Sequence, residues 1–177
     1  VDLSLSDEIV DLIGSGVDAA LRIAALPDSS LRARRLRSIE RVLVAAPSYL
    51  NRHGRPSHPD DLKRHACLCY AYLPTRDVWP FVDSSGHEVR VRPTGPLRAN
   101  NADALMPAIL GGFGLAVQPD FVVREALDDG RLEAVMPGWS APEIALHLVM
   151  PPGGPRPARV EALANFLVQR LSGERPN

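Results

Sequence analysis

The segment Asn100-Asn101-Ala102-Asp103 holds the side chains best placed to do chemistry. Two adjacent amides, each able to donate and accept, precede Leu105, Met106, Ile109 and Leu110, whose spacing is that of a buried helical stripe. One amide is accounted for as a helix cap, and the other has no structural duty in the pattern. A helix start leaves backbone N–H groups without internal partners and carries partial positive charge, which suits a carboxylate or another polar group. Arg22 follows the apolar run Val17 to Leu21, and either pairs with a carboxylate or is an ordinary surface cation.

Other clusters are explained by structure. His58-Pro-Asp-Asp-Leu-Lys-Arg-His65 gathers possible metal ligands. Its carboxylates, however, sit where they favour a helix start, and two turns of helix, roughly 10 Å, separate the imidazoles. No metal or cofactor is expected. Cys67 and Cys69, two apart on a strand, point the same way and read as small apolar side chains in a reducing, cytoplasmic setting. Gly112-Phe-Gly114 lacks the third glycine of a dinucleotide fingerprint and follows a helix, the wrong context. Neither a Gly-x-Ser-x-Gly elbow nor a phosphate loop occurs, so no catalytic residue is assigned and no enzyme is expected.

The balance of the chain is that of a globular domain. Its 177 residues are 45% hydrophobic and 23% charged, enough for a packed core. A net charge of −1 gives the whole chain no call on nucleic acid. The one basic stripe, Arg32-Ala-Arg-Arg-Leu-Arg37 with Arg41, reads as a strand and turn with solvated arginines, and no run is long enough to span a membrane. Strands are expected at Val1–Leu5, Val17–Ile23, Arg41–Ala46, Cys67–Tyr72, Val78–Val82, Glu88–Arg92, Gly95–Ala99, Leu115–Val117, Leu132–Val135 and Ile144–Met150. Helices are expected at Ile9–Ile13, Pro47–Gly54, Pro59–His65, Asn100 or Asn101 through Leu110, Pro119 to Asp129, and Pro157–Leu171. Pro27–Ser30 and Asp83–Gly86 are turns. The alternation predicts an α/β fold with mostly parallel sheets. The apolar, proline-ended strands Val42–Ala46 and Ala145–Met150 flank a central stretch and suit a pair of strands joining two lobes.

Several of these segments resemble the effector domain of LysR-type transcriptional regulators. They are Val1-Asp-Leu-Ser-Leu-Ser-Asp7, Gly16-Val-Asp-Ala-Ala-Leu-Arg-Ile23, Leu26-Pro-Asp-Ser-Ser-Leu31, Val44-Ala-Ala-Pro-Ser-Tyr-Leu50 with His53-Gly54, Pro59-Asp-Asp-Leu62 with His65, Asn100-Asn-Ala-Asp-Ala-Leu105, Gly111-Gly-Phe-Gly-Leu-Ala-Val-Gln-Pro119, Gly130-Arg-Leu132, and Val135-Met-Pro137 with Trp139. Their ordered spacing over nearly the whole chain is specific. The resemblance implies two Rossmann-like lobes joined by two crossover strands, as in type 2 periplasmic binding proteins. Lobe I would hold residues 1–45 and 150–177, and lobe II residues 46–149. It also implies a small-molecule effector, often an organic acid or aromatic compound, bound in the inter-lobe cleft by Arg22, Ile23, Asp28, Ser29, Ala46, Asn100, Asn101, Ala102 and Gln118. Homodimers, tetramers of the whole regulator and promoter DNA would be the other partners, with no membrane. The family's winged helix-turn-helix, its linker helix and the first strand–helix pair of lobe I have no counterpart in this sequence, and residues outside it are expected to supply them. The alternatives are a solute-binding protein of a transporter, which would carry an apolar leader, and an enzyme on the same fold, which would need a convergent acid/base or nucleophile set.

Overall fold

The computed structural model describes residues 1–8, 11–12, 14–24, 32–72, 75, 77–152 and 156–172, with only the backbone at Arg32. Packing divides the chain into two compact units, Val1–Glu8 with Glu40–Pro142, and Ile9–Ile39 with Glu143–Asn177. The division falls inside two long strands, β2 (Arg32–Ala45) and β9 (Trp139–Met150), each of which carries the chain from one unit to the other. Residues 1–8 and 40–45 therefore pack with the first unit, and 143–149 with the second.

In the first unit the period of two along β2 sorts its side chains between two cores. Leu43 and Ala45 join Tyr49, Leu50, Leu62, Cys67, Trp79, Phe81 and Leu115. Val44 and Ala46, with Val42, face Leu68, Leu105, Ile109, Ala116, Val123 and Leu132. The strands β3 (Leu68–Tyr70), β4 (Trp79–Asp83), β5 (Glu88–Val91), β6 (Leu97–Ala99), β7 (Ala116–Pro119) and β8 (Glu133–Ala134) complete this unit. Its helices are α1 (Pro47–His53), α2 (Met106–Leu110) and α3 (Asp120–Asp128). Prolines at the first turn of α1 and α2 sit where a missing N–H costs nothing.

In the second unit β1 (Ala20–Ala24) pairs antiparallel with β9, Arg22 opposite His147 and Ile23 opposite Leu146. Leu36, Ile39, Leu146, Leu148 and Ala164 form its core, the last from α4 (Ala158–Leu171). No helix among the described residues is long and apolar enough to cross a membrane.

Three expectations are corrected. The pairings are mainly antiparallel: β4 with β5 and β9, β2 with β7 and β8, and β1 with β9, in the order β5-β4-β9-β2-β7. A registered parallel ladder joins only β3 and β6 among the described residues. The long β2 and β9, and the β4–β5 hairpin turned at Asp83–Gly86 with Gly86 at φ 85°, account for most of this antiparallel pairing. Val1–Leu5 forms no strand, and Val1, Leu3 and Leu5 are exposed, because alternation makes a strand only where a partner edge takes up its hydrogen bonds. The segment after Asn101 is a 3₁₀ turn, Asp103–Leu105, before the short α2, and Pro59–Arg64 is likewise 3₁₀. Ile9, Val10 and Ile13 of the expected first helix lie outside the described residues, as does the Pro27–Ser30 turn.

Candidate functional site

Three strands of the first unit run in the same direction and end together. Leu68, Cys69 and Tyr70 of β3 lie beside Leu97, Arg98 and Ala99 of β6. On the other side of β3 a parallel bridge links Cys67 to Leu115, just before β7. The Leu68 N–H donates to the Leu115 carbonyl at 2.8 Å, and the Ala71 N–H to the Ala99 carbonyl at 2.8 Å. The carboxyl ends of the three strands deliver Ala71-Tyr72, Asn100-Asn101 and Gln118-Pro119 to one edge. That edge is where parallel α/β layers bind ligands, because the loops leaving it carry side chains whose positions the strands fix.

Each delivered residue has a defined state. Asn101 Oδ1 accepts the Ala104 N–H at 2.9 Å, so this amide caps the 3₁₀ turn. Asn100 is exposed. The Ala102 N–H donates to Asp7 Oδ2 at 3.0 Å, across 95 residues of sequence. The Asp7 carboxylate also lies close to the Tyr70 side chain, and burial first, then the Asp7 charge, push the Tyr70 phenol pKa well up. The Tyr72 ring meets Tyr70 edge-on at 6.0 Å.

Gln118 is 1% exposed, the sole buried polar or charged residue among those described, and its Nε2 has no hydrogen-bond partner among them. It lies opposite Val42 of β2. The period of two places it on the face of β7 that Ala116 shares with α2 and α3. Buried amides are nearly always satisfied, and an orphan costs about 1–3 kcal/mol.

The structure thus brings Asn100, Asn101, Ala102 and Gln118 to one end of the layer. Ala46 is at the other end: it follows Ala45, the partner of Glu133, beyond the start of β7. It is buried, and its carbonyl accepts the Tyr49 and Leu50 N–H groups at 3.0 and 3.2 Å. Arg22 is half-buried and Ile23 exposed, both in the second unit. Asp28 and Ser29 lie outside the described residues. Sequence reasoning missed Tyr70 and Asp7. Tyr70 carried a signal, as an aromatic within the predicted strand Cys67–Tyr72, whereas nothing local marks Asp7 as the partner of Ala102.

The remaining clusters are structural. His58 Nδ1 accepts the Asp60 N–H at 3.2 Å and Asp61 Oδ2 the His58 N–H at 3.1 Å, a reciprocal cap. The described residues hold no group of three metal-ligating side chains. Cys67 is packed in the core, where burial pushes its thiol up to about 12, and burial raises Cys69 too. Both sulfurs are thereby favoured as thiols over thiolates. Of the stripe arginines, Arg34, Arg35 and Arg37 are exposed on β2, while Leu36 and Ile39 are buried.

The LysR substrate-binding domain family matches residues 1–172. The chain belongs to this family. It is 39% identical over 179 residues to an HTH-type transcriptional regulator of Xanthomonas campestris pv. campestris strain 8004, covering 97% of this chain and 51% of that protein. It is 33% identical over 174 residues to the HTH-type transcriptional regulator PtxR of Pseudomonas aeruginosa, covering 98% and 55%. The chain thus spans about half the length of the curated relatives it matches. Among solved structures, the full-length Vibrio cholerae virulence activator AphB, a member of the LTTR protein family, superposes with a TM-score of 0.83 at 29% identity, covering 96% of this chain and 57% of that one. The AphB regulatory domain of Vibrio vulnificus gives 0.77 at 28%, covering 96% and 82%. The mixed α/β fold is that of LysR-type regulatory domains, whose architecture is two-lobed and like that of periplasmic binding proteins. The family and its named members are transcriptional regulators, not enzymes.

Proposed function

We propose that this chain is the effector-sensing and oligomerisation portion of a cytoplasmic LysR-type DNA-binding regulator, with its small molecule held at the carboxyl ends of β3, β6 and β7. The observation that carries the reading is the buried Gln118 Nε2, without a partner among the described residues, at the edge that also presents Asn100, Asn101 and the Ala102 N–H. A ligand acceptor that satisfies Gln118 recovers the cost of its burial, which makes the ligand-bound arrangement the more stable one. The ligand shifts the protein only by its differential affinity for two arrangements. The shift is relayed through a homodimer, and a tetramer of the whole regulator, to a winged helix-turn-helix on promoter DNA.

A thermal-shift screen of organic acids and aromatic compounds tests this, since a specific binder raises the melting temperature by mass action. Asn101→Asp keeps the oxygen that caps the 3₁₀ turn and removes the NH₂ donor. We expect a binder in the screen, and roughly tenfold weaker binding in Asn101→Asp, the loss of one hydrogen bond. Unchanged affinity in both Asn101→Asp and Asn101→Ala removes the pair from the site.

A further inference from the structure

We propose that Asp7 is a specificity-determining residue of this site: its carboxylate holds the seat of a ligand carboxylate, so that an effector binds by displacing it. The proposal rests on the reading of the strand ends as the effector site. Asp7 Oδ2 takes the Ala102 N–H at 3.0 Å, and the same carboxylate meets the Tyr70 side chain. A main-chain N–H and a phenol converging on one carboxylate form a seat of fixed size and polarity.

Two further donors belong to this end of the layer. Asn101 has its Oδ1 committed to the Ala104 N–H, which leaves the NH₂ as its uncommitted function. Gln118 adds a buried NH₂ on the same face and at the same end of the layer as Tyr70. An array of donors around a carboxylate selects acceptor-rich anions. With Asp7 seated, an incoming carboxylate meets like charge and finds its donors occupied; with Asp7 withdrawn, it takes over the same hydrogen bonds. A cation, in contrast, gains from Asp7 remaining in place. Asp7 therefore lowers affinity for all small carboxylates and reserves the site for those with enough further contacts to outcompete it.

Sodium acetate is the probe, titrated at constant ionic strength into the wild-type protein, Asp7→Ala and Asp7→Asn, while the Ala102 amide resonance is followed. The Ala102 resonance of Asp7→Ala is expected to shift saturably, at an acetate concentration roughly tenfold or more below any response of the wild type, the displacement cost being removed. Asp7→Asn keeps an acceptor but loses the charge, and falls between them, so a folded variant is at hand if Asp7→Ala is unstable. Equal responses of wild type and variants, or none in any, overturn the proposal. So does a wild-type response to methylammonium that disappears in Asp7→Ala, which makes Asp7 the counter-ion of a cationic ligand. Should Asp7→Ala fail in this way while Asn101→Asp still weakens a binder from the screen, the effector site stands and only the role of Asp7 falls.

Discussion

The two ends of the β3–β6–β7 layer are built from similar loops and differ in how completely their polar groups are used. At the amino end the accounts close. The Ala66 carbonyl accepts the Leu115 N–H at 2.9 Å, the Cys67 N–H donates to the Thr94 carbonyl at 2.9 Å, and the Ala66 N–H donates to Tyr49 Oη at 2.9 Å. Tyr49 Oη in turn meets His65 Nδ1 at 3.1 Å. The chains are so close that a Cβ on Gly95 would lie 2.0 Å from the Cys67 carbonyl oxygen, and one on Gly114 2.4 Å from that of Ala66. At the carboxyl end the buried Gln118 Nε2 has no partner among the described residues, and an N–H is met by a carboxylate from 95 residues away. The two ends thus differ in how far the fold commits their polar groups to its own hydrogen bonds.

The largest effect belongs to the closed end. Gly95→Ala drives a methyl into main-chain atoms that hydrogen bonds hold in place, and about 3 kcal/mol of stability should be lost in urea unfolding, at the upper range of overpacking. Indifference to the methyl would mean that the amino end is not tightly closed.

A smaller effect appears on acidification. The Ala66 N–H occupies the Tyr49 oxygen, so the phenol hydrogen points to a neutral His65, and burial lowers the His65 pKa. With a depressed folded pKa, the unfolded chain binds more protons between that value and the usual 6.5. This contribution to stability is complete above about pH 6.5, falls as pH drops through that window, and levels off below the folded pKa. Urea midpoints at pH 6.5 and pH 5 should show the drop, and His65→Gln should flatten it. The Asp61 carboxyl, held low chiefly by the Ser57 and His58 N–H groups, acts in a separate window below about pH 4. An undiminished slope in His65→Gln would place the titration elsewhere.

Much of this arrangement was legible in the sequence. The apolar run Val42–Ala46 marked a strand, Pro47 and Pro119 marked the starts of α1 and α3, and the Asn pair stood out as one amide too many for a cap. The ladder order was not legible, because β2 and β9 owe their length to partners far away in sequence and local alternation carries no information about neighbours. Val1–Leu5 shows the same blindness from the other side, a strand pattern left unpaired. Gln118 entered as a candidate through resemblance, but its importance comes from burial without a partner, a property of packing. Asp7 was invisible because its role is a contact between distant segments.

The comparison of the two ends stands or falls on Gln118→Leu. A leucine of similar volume removes the Nε2 donor that has no partner among the described residues, so the ligand-free protein should become more stable by about 1 kcal/mol in urea unfolding. The same variant should lose the melting-temperature rise produced by ligands that stabilise the wild type. A Gln118→Leu protein that is less stable than wild type, or that still responds fully to those ligands, would contradict the account.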